Sequence, residues 1–421
     1  MTVSSTRPVS ATQGGVAGAL DWLPTIHKAL LVALVVGLAF SISVSQIALA
    51  ALAVWLLIAR RAGRVGPLRA PLLGPIALFA GWSVVAALAS ARPLESLVAC
   101  KMLLNLGALF VIASALTDAA LARRFSTWLI LALAAAAAAG LVQVAACPGP
   151  EAIAPGTTFA GKFLRKCTRA RGFFSIYMTL AGILALAATA ALPRLARLRE
   201  TWWLGPIWLV MGAGLALTYV RGAWIGFAAG AVAAVAGLGR RGVIAAVALV
   251  LLTAAMLVGL PGVSARLRTI GNAGDDTTRD RLAMLQAGRR LATEHPLTGV
   301  GPGQVKHLYP SVATAEALRH STSHLHNTPL QIVVERGVIG LVTWLWIFVA
   351  FLVRGTALLR RLPPEAGGDR ALVLGSLAAV VAFLVGGLFE YNFGDTEVLL
   401  VALALMALPF ALVPERPPAG A

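Results

Sequence analysis

The chain has 421 residues, of which 59% are apolar and only 12% charged, with a mean hydropathy of +0.84. Water-soluble domains are about a quarter charged, so a cytosolic enzyme, a secreted disulfide scaffold and a disordered chain are excluded, and an integral membrane protein remains. A transmembrane β-barrel is excluded as well. Its strands would alternate over about ten residues, whereas LILALAAAAAAGLV (129–142) and VIAAVALVLLTAAMLVGL (243–260) are solid apolar blocks of helical length. The net charge of +18, 35 Lys and Arg against 17 Asp and Glu, would suggest nucleic acid in a soluble protein; here it has to be read against topology first, and no nucleic-acid partner is expected.

The fold class expected is all-α, with about twelve transmembrane helices. Residues 1–25 lack a charged n-region, short apolar core and cleavage site in sequence, and read as a cytoplasmic N-terminal tail. Apolar stretches follow at 26–41, 43–59, 72–90, 96–117, 127–146, 173–192, 202–219, 222–238 and 242–260, then at 337–353, 371–389 and 397–413, with 414–421 as a second cytoplasmic tail. The first two are divided only by Ser41, Ser43, Ser45 and Gln46. With the N-terminus inside, Arg60, Arg61, Arg64, Arg69, Arg123, Arg124, Arg194, Arg197, Arg199, Arg240, Arg241, Arg354, Arg360, Arg361 and Arg370 all fall in internal loops. The excess of Lys and Arg in cytoplasmic loops therefore puts both termini inside.

Two external segments are more basic than orientation accounts for. The shorter, 147–171, holds Lys162, Arg165, Lys166, Arg169 and Arg171 against Glu151 alone. Cys147 and Cys167 bracket it, either as a bridge or as two thiols. The longer, 261–336, holds nine Lys and Arg against six Asp and Glu, together with His295, His307, His320, His324 and His326. Positive charge and imidazole concentrated on one face suit the handling of an anion. Within this loop RDRLAMLQAGRRLATEHP (279–296) reads as an amphipathic helix, with Asp276, Thr277 or Thr278 as its N-cap, a stop at Pro296, and Leu282, Leu285 and Leu291 facing the bundle or the membrane interface. The glycines of PLTGVGPGQ read as a turn, because no GK[ST] or preceding strand makes them a phosphate loop. STSHLHNTPLQIVVERGVIG then carries His324, His326 and Asn327 to the start of a helix that runs into the tenth span. Asp275, Asp276 and Asp395 are the candidates for a loosely held divalent cation, ranked below a metal-free role for the histidines.

TYVRGAWIGF (218–227), RDRLAMLQAGRRLATEHPLTGVGPG (279–303) and HLHNTPLQIVVERGVIG (324–340), with GLFEYNFGDTEV near the eleventh span, resemble the core of the O-antigen ligase and polymerase superfamily. The resemblance covers roughly 170–400, and its pattern falls on His326, Asn327, Leu330, Glu335, Gly337 and Gly340. It implies a glycosyltransferase of the GT-C type in the inner membrane of a Gram-negative bacterium, with the long helical loop and the active site in the periplasm. The implied donor is a glycan on undecaprenyl pyrophosphate, and the implied acceptor of a ligase is lipid A-core. No metal or other cofactor is implied.

Such chemistry calls for identifiable side chains. Breaking a sugar to pyrophosphate bond leaves negative charge that, without a divalent cation, Arg or Lys must meet. Arg221 is the first choice, at an external junction where orientation puts no basic residue; Arg169, Arg171, Arg279 and Arg281 are second choices. Lys162, Arg165 and Lys166 read as a steering surface. The acceptor hydroxyl has to lose a proton, for which histidine is suited: His326 is expected as general base or acceptor-orienting group, with His324 and Asn327 beside it in substrate binding. Glu335 is either an orienter of an arginine or a structural ion-pair partner. Lys101, an intramembrane charge, and Glu390 and Asp395, which are placed to organise the arginines or touch sugar, complete the candidates. A polymerase or protein O-oligosaccharyltransferase shares this donor chemistry. A flippase would be expected to show repeat-related halves and charged or broken helices near the midplane; the sequence has no convincing internal repeat, and its polar chemistry is crowded into one external loop instead.

Overall fold

The computed structural model describes residues 23–149, 159–164, 166–238, 240, 243–244, 247–248, 251, 261–268 and 276–413. Both expected tails apart from residues 23–25, most of the ninth stretch, Arg165 and Asp275 lie outside the described residues. Helices and turns make up everything described. α1 (Leu23–Phe40) and α2 (Ile42–Arg61) form a hairpin with Ser41 alone between them. The reversal is that tight because Gly37 faces it: a Cβ there would lie 2.4 Å from the Ser45 backbone nitrogen. α3 (Leu73–Leu88) leads to α4 (Pro93–Ala99), a 3₁₀ segment (Cys100–Leu106) and α5 (Gly107–Ala115), so the fourth span is not one regular helix. α6 (Ala119–Ala145) begins on the Asp118 cap, which accepts the Leu121 N–H at 2.8 Å.

Beyond α7 (Phe159–Leu164) come α8 (Tyr177–Leu195), α9 (Leu198–Thr201), α10 (Leu204–Leu217) and α11 (Arg221–Ala236). The long loop contributes α12 (Pro261–Arg268), α13 (Asp276–Glu294) and α14 (Val305–Val312). α15 (Thr328–Arg361), α16 (Gly367–Gly386) and α17 (Thr396–Ala407) complete the bundle. Every expected apolar stretch except the ninth coincides with a described helix or helix pair. Among the described residues six helices are long and apolar enough to cross a membrane, and five shorter ones are apolar.

α8 is the axis of the bundle: 89% of its apolar window is buried, against 28% for α2, which leaves α2 a lipid-facing side. α6, α10, α11, α16 and α17 all pack on α8. In lipid, helices gain from close packing of small residues rather than from the hydrophobic effect. Gly222, Gly226 and Gly230 form such a stripe on α11, where a Cβ would meet Phe389 Cβ at 2.4 Å, the Ala382 carbonyl at 2.8 Å and Thr189 Cγ2 at 2.7 Å.

The helix ends sort into two sets. At one end Arg123 pairs with Asp369, Arg194 donates to Thr127 Oγ1 (2.8 Å) and Arg69 donates to the Phe410 carbonyl (2.9 Å). These are the loops read as internal, gathered together. At the other end the structure joins Cys147 to Cys167, with Cα atoms 5.5 Å apart, which resolves the alternative left open by the sequence.

A second small core caps this end. Met284, Ala287 and Leu291 of α13 pack with Val300, Val305, Tyr309, Leu325 and Val334. The buried face of α13 thus runs through Asp280, Ala283, Met284, Ala287, Gly288 and Leu291. Leu291 lies inside, whereas Leu282 and Leu285 are exposed, because the loop helix packs through its small residues against Leu325 and Leu330. Beneath it α15 kinks at Gly337, whose φ of +67° only glycine adopts readily. The kink frees two carbonyls and one N–H of α15 that the glycine turn satisfies: Val300 N–H donates to Val334 O (2.8 Å), Gly301 N–H to Glu335 O (3.0 Å), and Val338 N–H to Pro296 O (2.8 Å). The turn reading of PLTGVGPGQ stands, and its role is to plug a broken helix.

Candidate functional site

A cavity of about 450 Å³ opens between the bundle and the loop helices, at the end that carries the disulfide. Each wall comes from a different part of the chain: Arg169 and Tyr177 precede or open α8, Tyr219 and Arg221 sit at the α10–α11 reversal, Asp280 and Arg281 are on α13, and Arg319, His326 and Glu390 come from loops. Arg221 is held there by its reversal. Tyr219 turns the chain with φ +56°, and Trp224 Nε1 donates back to the Leu215 carbonyl at 3.1 Å.

His326 and Glu390 are 64 residues apart in sequence, yet they are bolted together. Asn327 Nδ2 donates to the Leu388 carbonyl (2.9 Å), Thr328 N–H to the Gly387 carbonyl (2.6 Å) and Thr328 Oγ1 to the Glu390 carbonyl (2.8 Å). These bonds fix the 387–391 turn against the start of α15, where His326 itself sits at φ +47°. The Glu390 carboxylate then meets His326 Nδ1 at 2.8 Å with one oxygen and the Arg281 guanidinium with the other. A carboxylate only accepts, so the Nδ1 position carries the proton and Nε2 of the neutral ring is an acceptor. Arg281, Glu390 and His326 form one chain of charge-assisted bonds.

The cavity sets four guanidinium groups against three carboxylates. Arg281 is bound to Glu390, and Arg319 lies 3.5 Å from Asp280, whose Oδ1 also accepts the Leu318 and Arg319 N–H groups (2.8 and 3.2 Å). Arg169 is stacked over the Tyr177 ring, 4.4 Å from its centroid. An array of arginines, an oriented imidazole and no excess of acid suits a doubly charged phosphate ester and a hydroxyl that loses a proton. Among the described residues no three His, Cys, Asp or Glu side chains are grouped to hold a metal ion.

His324 stands behind this arrangement instead of lining it. Its ring lies edge-on to His326 at 4.3 Å and 5.8 Å from Tyr391, and its Nδ1 is buried without a hydrogen-bond partner among the described residues. Burial first, then the neighbouring His326, pushes its pKa down to about 4 against the opposing pull of Glu390. Burial likewise pushes the Tyr391 hydroxyl well above its ordinary range.

Of the residues chosen from sequence, the structure brings Arg169, Arg221, Arg281 and His326 into one cavity. Glu390, expected to organise the arginines, and Asp276 line the same cavity, and the remaining candidates lie elsewhere. Arg171 ties the short external segment together, donating to the Phe174 and Phe163 carbonyls (2.8 and 3.2 Å). Arg279 is exposed on α13, outside the cavity, and Lys101 is exposed on the 3₁₀ segment. Asn327 caps α15, accepting the Leu330 N–H at 2.8 Å. Asp395 caps α17 and accepts from Thr179 Oγ1 at 2.6 Å. Glu335 accepts from Arg336 NH1 at 2.7 Å and from the Gly303 N–H at 2.8 Å, with Glu335 and Arg336 both buried; the structural ion pair is the alternative realised. Lys166 is exposed. Sequence reasoning passed over Tyr219, although it lies inside TYVRG, and over Asp280 and Arg319, whose pairing across 39 residues leaves no spacing to read.

Residues 206–345 match the O-antigen ligase family model. The resemblance read from the sequence is borne out over this stretch. The O-antigen ligase-like segment supplies Tyr219, Arg221, Asp280, Arg281, Arg319 and His326 to the cavity, while Arg169, Tyr177 and Glu390 come from outside it. It also contains both halves of the Gly337 clamp. No curated protein matches the chain.

Proposed function

We propose that the protein is an O-antigen ligase: a GT-C-type glycosyltransferase that moves a glycan from undecaprenyl pyrophosphate to lipid A-core at the periplasmic face of the inner membrane, in lipopolysaccharide biosynthesis. The observation that carries this reading is the cavity in which Arg169, Arg221 and Arg281 face the His326–Glu390 pair. The reading includes about twelve spans with both termini in the cytoplasm, residues 26–260 and 337–413 as the membrane part, and 261–336 as the periplasmic loop bearing catalytic residues.

In this mechanism Arg221 and Arg281, with Arg169, bind the pyrophosphate and stabilise the charge that grows on it as the glycosidic bond breaks. His326 takes the acceptor proton at Nε2 as the hydroxyl attacks the anomeric carbon. Glu390 keeps the Nδ1 proton in place and stabilises the imidazolium that forms. The arginines do the work a divalent cation would otherwise do, so no metal enters. His324, held neutral by burial, supports the His326 ring and does not exchange protons at neutral pH.

The test is glycan transfer by the purified protein in nanodiscs, with polyprenyl pyrophosphate-linked glycan, lipid A-core and a chelator. Product on lipid A-core is the expected result. Donor consumed only to lengthen glycan or to modify protein would replace the ligase with a polymerase or protein O-oligosaccharyltransferase of the same superfamily. Donor moved across the bilayer intact would replace the enzyme with a flippase.

A further inference from the structure

A second groove lies at the other end of the bundle and takes no part in the chemistry above. α6 spans 27 residues, about 40 Å at 1.5 Å per residue, and the two sites sit at its opposite ends. Gln143, near its last turn, accepts the Arg171 N–H (3.1 Å) beside the disulfide, whereas Asp118, Leu121 and Arg124 of its first turns line the groove.

The groove has two lobes of about 500 and 490 Å³ that share Arg64, Val65, Thr117 and Asp118. The first is charged at its mouth by Lys28 of α1, Arg64 of the α2–α3 loop and Arg124 of α6, and walled by Trp55, Ala59 and Leu121. The second continues over Pro67, Ala411, Leu412 and Val413. A bonded ladder holds the walls: Trp55 Nε1 donates to His27 Nδ1 (3.2 Å), and His27 Nε2 donates to the Ala115 carbonyl (2.8 Å). The one carboxylate present, Asp118, is already committed. The Leu121 N–H holds it below the ordinary carboxylate range, with Thr117 and Arg124 acting the same way. Among the described residues, the side chains of Lys28, Arg64 and Arg124 donate no hydrogen bond and close no ion pair.

Three cations from three elements, around a cleft whose floor is apolar and runs along membrane helices, ask for a ligand that is anionic at one end and apolar at the other. A half-buried tryptophan in the last two turns of a membrane helix suits the head-group level of a bilayer, and basic pockets between membrane helices suit anionic head groups. We infer that this groove binds the phosphodiester head group of an anionic phospholipid, its acyl chains lying along α2 and α6. The inference does not depend on the transfer reaction.

The experiment is native mass spectrometry of the full-length protein in detergent, titrated with phosphatidylglycerol or with phosphatidylethanolamine. The triple variant Lys28→Gln, Arg64→Gln, Arg124→Gln should bind phosphatidylglycerol roughly ten- to a hundredfold more weakly. Ala120→Trp, which fills the groove and keeps every charge, should weaken it too, so the outcome does not hang on the folding of the triple variant. Arg354→Gln, Arg360→Gln, Arg361→Gln, with the same loss of charge at the same end, should bind as the parent does. Equal weakening in that control would mean diffuse attraction, and parental binding by Ala120→Trp would mean an empty groove. Displacement of the lipid by inorganic phosphate would mean a site for the free ion. Each of these three would overturn the inference.

Discussion

Glu390→Gln separates charge and tautomer from shape. The parent carboxylate serves two donors at once, the Arg281 guanidinium through Oε1 and His326 Nδ1 through Oε2 at 2.8 Å. An amide has one acceptor. The charged guanidinium, which can only donate, takes the glutamine oxygen, and the amide NH₂ is left facing His326. Nδ1 then has to accept, which moves the imidazole proton to Nε2, the atom that must receive the acceptor's proton. Charge-assisted bonds contribute about 1.5–3 kcal/mol each, and a positioned general base contributes about 10²–10⁴ in rate. We expect kcat to fall by roughly 10²–10³, about 3–4 kcal/mol of barrier, with a much smaller change in donor KM because Arg281 keeps a partner. The assay is steady-state transfer by purified protein, with thermal melting as the control for folding. A folded Glu390→Gln enzyme with kcat within about threefold of the parent would refute the role given to this carboxylate.

Other substitutions test the remaining parts. His326→Ala and Arg221→Ala should both fold and lose transfer by about 10² or more; near-normal turnover in either variant would take that residue out of the mechanism. His324 should make stability depend on pH. Its folded pKa of about 4 lies below the unfolded value near 6.5, so the unfolded chain binds the proton first. The contribution is complete above about pH 6.5 and is lost as pH falls toward 4, by at most about 3 kcal/mol. Melting curves across that window should flatten in His324→Phe, and an unchanged slope would contradict the burial argument. Gly337→Ala places a Cβ 1.8 Å from the Leu297 carbonyl oxygen at a φ of +67°. Strain of about 1–2 kcal/mol with loss of three clamp bonds at about 1 kcal/mol each predicts roughly 4–5 kcal/mol of destabilisation; a melting temperature equal to the parent's would show that the clamp carries no load.

The amino-acid sequence by itself determined the helical membrane fold, because a run of some twenty apolar residues has no other low-energy state in lipid than a helix that satisfies its own backbone. It marked one set of helix ends through the arginines, and it placed the loop helix, the glycine turn and the start of α15 through polar residues, prolines and glycines that act over a few residues, although the loop helix already includes Asp276, Thr277 and Thr278, the three expected as its N-cap. It singled out Arg169, Arg221, Arg281 and His326 because strong positive charge and imidazole stand out against an apolar chain. What only the tertiary structure decided depends on contacts between distant segments. Nothing within reach of His326 in the sequence names Glu390, and the pairing exists because Asn327 and Thr328 bind the carbonyls of the 387–390 turn. The same holds for Asp280 with Arg319 and for the Val300 and Gly301 N–H groups that fill the break at Gly337. Lys101, Arg171 and Arg279 carry the same charge as the arginines of the cavity. Local pattern cannot separate them, since it is the packing of α8, α11, α13 and α15 that selects which guanidinium groups converge.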